Sequence, residues 1–180
     1  MFKLLVSTFC LVSFFVSSMA QHAPNIGIGP ELGLPSGNFA NVSGVGLGAS
    51  LKIDVPVSAN FALTLHGGFM NFFGKHNYLQ NVKDFTYLPV KAGLKYQLSE
   101  SFYAEGQIGA GFPLNDGQKT LLVWAPGFGN VFKISGKNRL DLGIRYEGWT
   151  GKNDQVVVLS QSSNTKGFLG IRFAYLFNFN

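Results

Sequence analysis

Cysteine is nearly missing from this chain of 180 residues. Cys10 stands alone, so no intrachain disulfide can form and something other than a covalent staple must hold the fold. Charge is also scarce: Asp, Glu, Lys and Arg make up 13% of the residues, against about 25% in an ordinary soluble domain. The net charge of +5 is scattered, with no run of Lys or Arg, which argues against nucleic acid as a partner. After residue 20 no long apolar run occurs, so helical membrane spans are excluded there. Histidine is limited to His22, His66 and His76, each isolated; no His/Cys/Asp group has metal-ligand spacing, and no metal or other cofactor is expected.

The start of the chain has a different character. Lys3 precedes an apolar stretch over 4–16, and Ser18, Met19 and Ala20 form a small-residue cleavage site before Gln21. This is the pattern of a cleaved secretory signal peptide over 1–20, leaving one domain over 21–180 and a net charge of +4 once Lys3 is lost. An exported chain without disulfides must be stabilised by its architecture.

That architecture is written in a period of two. Eight segments, 25–34, 45–55, 61–73, 85–98, 102–112, 121–134, 140–149 and 167–179, alternate apolar with small or polar residues, which is strand periodicity. In the second, Val45, Leu47, Ala49, Leu51, Ile53 and Val55 alternate with Gly46, Gly48, Ser50, Lys52 and Asp54. In the sixth the parity breaks, because Leu121 and Val123 oppose Trp124, Pro126 and Phe128; a bulge or edge distortion is expected near Ala125 and Pro126. The connections alternate between short (56–60, 99–101, 135–139) and long (35–44, 74–84, 113–120, 151–166), as in a hairpin meander whose two ends face different compartments.

Alternation alone does not say which face is inside. Glycine decides it: the non-apolar face carries Gly27, Gly29, Gly46, Gly48, Gly93, Gly109, Gly111, Gly143 and Gly170. A solvated face has no reason to prefer glycine, whereas the interior of a narrow eight-stranded barrel must interleave large side chains with tiny ones. The expected fold is therefore an all-β, eight-stranded antiparallel up-and-down transmembrane β-barrel, apolar outside and polar inside. A soluble lipocalin-like barrel in the periplasm is the inverse alternative. Phe61, Phe69, Phe102, Trp149, Phe173, Tyr175, Phe177 and Phe179 are expected to form aromatic girdles at the membrane interfaces.

The stretches "IGIGPELGLPSGNF", "GLGASLKIDVPV", "YLPVKAGLKYQLSESFYAEGQIGAGF" and "LDLGIRYEGW" resemble the outer-membrane β-barrel domain proteins of Bacteroidetes-type bacteria, similar in build to OmpX and OmpA. The resemblance covers essentially the whole of 21–180. It implies periplasmic termini, location in the bacterial outer membrane, contact with its lipid and lipopolysaccharide, and a closing aromatic strand read by the barrel assembly machinery. Asn180 after Phe179 departs from the usual aromatic terminus.

If the polar face is the lumen, it holds Glu31, Lys52, Asp54, Lys91, Lys95, Glu105, Asp141, Arg145, Glu147 and Arg172, together with His66 and Lys133. Buried charges persist when paired, so these are expected to form an ion-paired network that plugs the barrel. Arg172 is expected to pair with Glu147 or Glu105, and Ser50 and Thr64 to be small fillers. A narrow pore is the alternative use of such a lumen. A lipid-modifying enzyme is the other: it would draw on His66 or His76 with Ser43 or Ser160 and Asp84, but no Ser lies in a nucleophile motif and no enzymatic activity is expected. The long loops "FFGKHNYLQNVKDF" and "TGKNDQVVVLSQSSNTKG" are the expected surface for an extracellular protein or surface ligand, in a structural, adhesive or envelope-integrity role. Val156, Val157, Val158 and Leu159 offer an edge for β-augmentation.

Overall fold

A computed structural model of the chain describes residues 24–77, 80–81, 84–115, 117–135, 138–151, 156–158, 161–163 and 165–178; the expected signal peptide, Leu159, Ser160 and Phe179 lie outside them. Eight long strands close into one antiparallel barrel: β1 (Asn25–Ser36), β2 (Ser43–Pro56), β3 (Phe61–Gly74), β4 (Phe85–Gln97), β5 (Phe102–Pro113), β6 (Leu121–Ser135), β7 (Asn138–Thr150) and β8 (Thr165–Asn178). Each pairs with its neighbour in sequence, and β8 returns to β1 to close the sheet, with Asn25 opposite Asn178 and Ser36 opposite Gly167. Closure removes both sheet edges, which is how a chain with no disulfide satisfies its backbone.

Two connections at the short end repeat one solution. In 57–61 the N–H groups of Val57 and Ser58 bond Phe61 O while Ser58 Oγ accepts from Phe61 N; in 98–102 Leu98, Ser99 and Phe102 do the same. The other end carries the longer excursions. The first of these is not a plain loop but a six-residue helix, α1 (Gly37–Val42), entered through Gly37 at φ +55°, a left-handed value that glycine adopts without strain. Short two-stranded ladders, His76–Asn77 with Gln80–Asn81 and Val156–Val158 with Gln161–Ser163, stand outside the barrel sheet.

Pro30, Pro89 and Pro126 sit in mid-strand, and each lacks the N–H that a rung requires. Each leaves a gap in one ladder without changing its register. Between β1 and β8 the pairing passes from Ile28 opposite Tyr175 to Glu31 opposite Arg172, around Pro30. Between β3 and β4 it passes from Gly67 opposite Val90 to Met70 opposite Tyr87, around Pro89. Between β6 and β7 it passes from Trp124 opposite Gly148 to Gly127 opposite Arg145, around Pro126. The bulge expected near Ala125 and Pro126 is therefore a pair of missing rungs, and the register shift of β6 lies instead between Lys133 and Ser135.

The two faces have opposite chemistry. Leu47, Leu51, Leu63, Leu65, Val90, Leu94, Ile108, Phe128, Phe132 and Phe173 are exposed on the outside, whereas Lys52, Asp54, His66, Lys91, Asp141, Glu147 and Arg172 are buried. Glycines let neighbouring strands approach at the seam: a Cβ on Gly29 would lie 1.8 Å from the backbone O of Phe173, where β1 meets β8. Gly106 has open space, and a Cβ there would have no neighbour within 4 Å. Gly29→Ala should accordingly destabilise the barrel by about 1–3 kcal/mol or more, while Gly106→Ala should change stability by no more than about 0.5 kcal/mol. Denaturant midpoints of the two variants, measured side by side, check this.

Candidate functional site

The lumen is built in two storeys, and the first is charged. Strand alternation aims Glu31 of β1, Ser50, Lys52 and Asp54 of β2, His66 of β3, Lys91 and Lys95 of β4, Tyr103 and Glu105 of β5, Asp141, Arg145 and Glu147 of β7 and Arg172 of β8 inward. Nearest the short-turn end, Lys95 Nζ donates to Asp54 Oδ2 at 2.9 Å, and Lys52 lies between Asp54, at 3.7 Å, and Glu105, to which it also donates. Both ammonium groups sit over the ring of Tyr103, Lys95 at 4.0 Å and Lys52 at 4.9 Å from its centre. The Tyr103 hydroxyl donates to Asp141 Oδ1 at 2.6 Å.

Tyr103 and Asp141 connect this group to the next. Arg172, 2% exposed, donates from Nη1 to Asp141 Oδ2 at 2.8 Å, from Nε to Ser50 Oγ at 3.2 Å and from Nη2 to the carbonyl of Gly27 at 3.2 Å. Glu31 is the hub: its Oε1 accepts from Ser50 Oγ at 2.5 Å and from His66 Nε2 at 2.9 Å, and its Oε2 from Arg145 Nη2 at 2.5 Å. Arg145 also donates through Nε to Glu147, whose Oε1 accepts from Lys91 Nζ at 2.7 Å. The cations Lys52, Lys91, Lys95, Arg145 and Arg172 match the anions Glu31, Asp54, Glu105, Asp141 and Glu147 one for one. A neutral, multiply bonded cluster is the arrangement in which charges tolerate removal from water.

The second storey is apolar and lies toward the long-loop end. Trp149 joins the two, its Nε1 donating to Glu147 Oε2 at 2.7 Å while its ring packs against Phe72, Phe85, Tyr87 and Phe168. Met70, Leu121 and Val123 complete this cluster, and Phe39 of α1 closes it from above, edge-on to Phe72 at 4.9 Å and to Phe85 at 5.5 Å. The parity break in β6 is thereby explained. At its loop end Leu121 and Val123 fill the lumen while Leu122 and Trp124 face outward, so both faces are apolar there.

All ten charged residues named from the sequence lie in this interior, but several other expectations change. Arg172 bonds Asp141, with Glu31 at 3.9 Å, rather than Glu147 or Glu105, because the tilt of the strands favours a diagonal neighbour. Lys133 is exposed beyond the network. Trp149, expected at the membrane interface, is 1% exposed and inside the barrel; it shares the parity of Arg145 and Glu147, and that signal outweighs its place near a strand end. Phe61, Phe69, Phe102, Phe173 and Phe177 are exposed on the outer face; Tyr175 is half-buried there, its hydroxyl donating to Asn138 Oδ1 at 2.5 Å. Ser50 is more than a filler, since it bridges Glu31 and Arg172. Tyr103 and, in the aromatic storey, Met70, Phe72, Phe85, Tyr87 and Phe168 are not among the residues named from the sequence, although period-two parity marks each as inward; Phe39, in a connection, carries no such signal.

Of the residues considered for hydrolysis, His66 and Ser43 are far apart, and Ser160 lies outside the described residues. His66 is held by Glu31 in the charged storey, whereas Ser43 pairs with Gly74 at the loop end of β2 and β3, eight residues along β3 from His66, roughly 26 Å at strand rise. Asp84 accepts from the backbone N of Gly74 at 3.0 Å and from Asn71 Nδ2 at 3.4 Å. No cluster of metal-ligand type occurs among the described residues.

This inverted architecture, with apolar exterior and charged interior, defines the class: the fold is that of the small eight-stranded outer-membrane barrels. The chain aligns with the crystal structure of Ail, the attachment invasion locus protein of Yersinia pestis, over 87% of its length and 99% of the other chain, with a TM-score of 0.51 and 20% identity. It aligns with the solid-state NMR structure of the outer membrane protein AlkL in DMPC lipid bilayers over 88% of its length and 91% of the other, at TM-score 0.51 and 19% identity. A crystal structure of Ail in complex with the heparin analogue sucrose octasulfate matches over 87% and 99%, at TM-score 0.51 and 19% identity. No protein-family model and no curated protein matches the chain.

Proposed function

We propose that the chain spans the bacterial outer membrane as a sealed barrel and acts through its long-loop end, as a structural or adhesive element of the cell envelope. The observation that carries this reading is the reversed polarity of the wall: Leu65, Leu94, Ile108 and Phe128 exposed outside, Lys91, Asp141, Glu147 and Arg172 buried inside. In water that arrangement would expose a continuous apolar surface far beyond what monomeric proteins tolerate, whereas in lipid it places each residue type in its own solvent. Strands of 12 to 15 residues exceed the roughly 9–11 needed to cross at a 45° tilt, so their loop ends extend beyond the bilayer. The expected lipid and lipopolysaccharide contacts fall on the outer wall, and insertion would call on the barrel assembly machinery.

The lumen supports a non-conducting reading, because the ion-paired storey and the aromatic storey lie in series. Detergent-refolded protein should show heat-modifiable gel mobility and no conductance above leak in planar bilayers; discrete channel openings would overturn the sealed barrel. We read the chain as non-enzymatic on the separation of His66 from Ser43, and lipid A or phospholipid incubated with it should be unaltered by mass spectrometry. The adhesive role draws support from the exposed loop-end cations Lys75 and Lys119 and from a neighbour of the same fold, Ail, that was crystallised with a sulfated saccharide. Deleting residues 153–163 should abolish binding of a surface ligand while leaving heat-modifiability intact; unchanged binding would sink that role.

A further inference from the structure

The aromatic storey is covered by a part of the chain that is lightly held. α1 has six residues, its N-cap Ser36 makes no side-chain cap bond, and neither an acidic residue in its first turn nor a basic one in its last supports it. A helix so short has almost no stability of its own. Val42 packs half-buried against the cluster and the Ser43 N–H bonds Phe39 O, and the ends of the helix are fastened at two points. At one end Gly37, at φ +55° with open space around it, is a swivel; at the other Lys75 donates from its backbone N to Val42 O at 3.0 Å and from Nζ to Ala40 O at 2.6 Å. Between them a single side chain, Phe39, is 2% exposed. Its phenyl ring fills a seat made by the ring edges of Phe72 and Phe85, with Trp149 and Phe168 in the layer beneath.

Every other member of that cluster projects from a barrel strand, so the seat is built on rigid elements and its occupant is not. We propose that Phe39 is a displaceable intrachain ligand, and that its seat is a binding site for a small monocyclic aromatic molecule entering from the long-loop end. The charge around the mouth favours an anionic aromatic. Lys166 Nζ lies 5.1 Å from the centre of the Phe85 ring that forms one wall, and Lys75 and Lys119 stand at the same end. An aromatic carboxylate would thus place its ring where Phe39 now sits and its carboxylate toward those ammonium groups. The site is separate from the ion-paired storey and does not depend on which compartment the mouth faces.

Phenylacetate is a suitable probe, since its benzyl group reproduces the Phe39 side chain and its carboxylate keeps it out of the detergent. Trp124 and Trp149 are the two tryptophans, so a Trp124→Phe background makes the emission of Trp149 the reporter of the seat. In refolded protein, phenylacetate should perturb Trp149 weakly in that background and at least about tenfold more tightly when Phe39→Ala is added, because the competing occupant is gone and the open form is no longer a minor state. Should Phe39→Ala not refold, Phe39→Leu makes the same comparison with a smaller gain. Equal affinities with and without Phe39, no response in the folded alanine or leucine variant, or the same response to acetate as to phenylacetate would each overturn the proposal.

Discussion

Arg145→Met is expected to lower the stability of the refolded barrel by about 3–5 kcal/mol, the cost of stranding buried charge. Methionine keeps the unbranched stem as far as the position of Nε and removes the guanidinium, so the loss is chiefly that of the charge and its hydrogen bonds. Arg145 hydrogen-bonds two glutamates at once, donating to Glu31 Oε2 at 2.5 Å and, through Nε, to Glu147. Its removal leaves Glu147 with Lys91 and Trp149, and leaves Glu31 with His66, Ser50 and a distant Arg172 at 3.9 Å. Four cations of the network would then face five carboxylates. Adding Glu31→Gln restores the one-for-one balance, so the double variant should be less destabilised than the sum of the two single changes, by a coupling of roughly 0.5–3 kcal/mol. Urea titration in lipid vesicles, followed by tryptophan emission, measures all three variants. A loss within about 1 kcal/mol for Arg145→Met would mean that the lumen is hydrated enough to screen Glu31 and Glu147, and the sealed barrel would fall with it.

The same side chains show what a linear sequence can and cannot disclose about such a protein. Parity is a local property, and it assigns Lys52, Asp54, Lys91, Arg145 and Arg172 to one face from their immediate neighbours alone. The strands therefore come out within three residues of their ends, for instance β3 at Phe61–Gly74 against an expected 61–73. Partnership is not local. Whether Arg172 finds Asp141 or Glu147 depends on strand tilt and on which diagonal neighbour lies in reach, and neither is encoded in the spacing of charges along the chain. Trp149 shows a second limit. Its position near a strand end invites an interfacial role, while its parity with Glu147 places it inside, and parity prevails because a side chain on a closed strand has only two directions. The third limit is α1. Phe39 lies in a connection whose length and turn residues read as loop, and only the aromatic storey beneath it, assembled from β3, β4, β7 and β8, gives its ring a place to go.

Ile108→Arg on the outer wall should destabilise the barrel in lipid vesicles by about 2–4 kcal/mol, the range for arginine near the bilayer midplane of a β-barrel. Ile108 lies midway along β5, opposite Ala92 of β4 and Trp124 of β6, and is 60% exposed. Exposure this high is the point of the choice. In a water-soluble barrel an exposed isoleucine replaced by arginine would change stability by no more than about 0.5 kcal/mol, and solubility would improve. In a membrane barrel the guanidinium must instead reach the interface past Leu94, Leu122 or Phe128, or draw water down to itself, and either route costs free energy that the native chain avoids. Arg172, by contrast, sits inside the same wall and costs little, because Asp141, Ser50 and the Gly27 carbonyl are already positioned for it. The pair of measurements, a guanidinium added outside and one removed inside at Arg145, gives losses of similar size for opposite reasons: one wall has lipid for solvent and the other has the protein's own charges. A neutral result for Ile108→Arg in vesicles would return the exterior to water and leave the charged interior without its explanation.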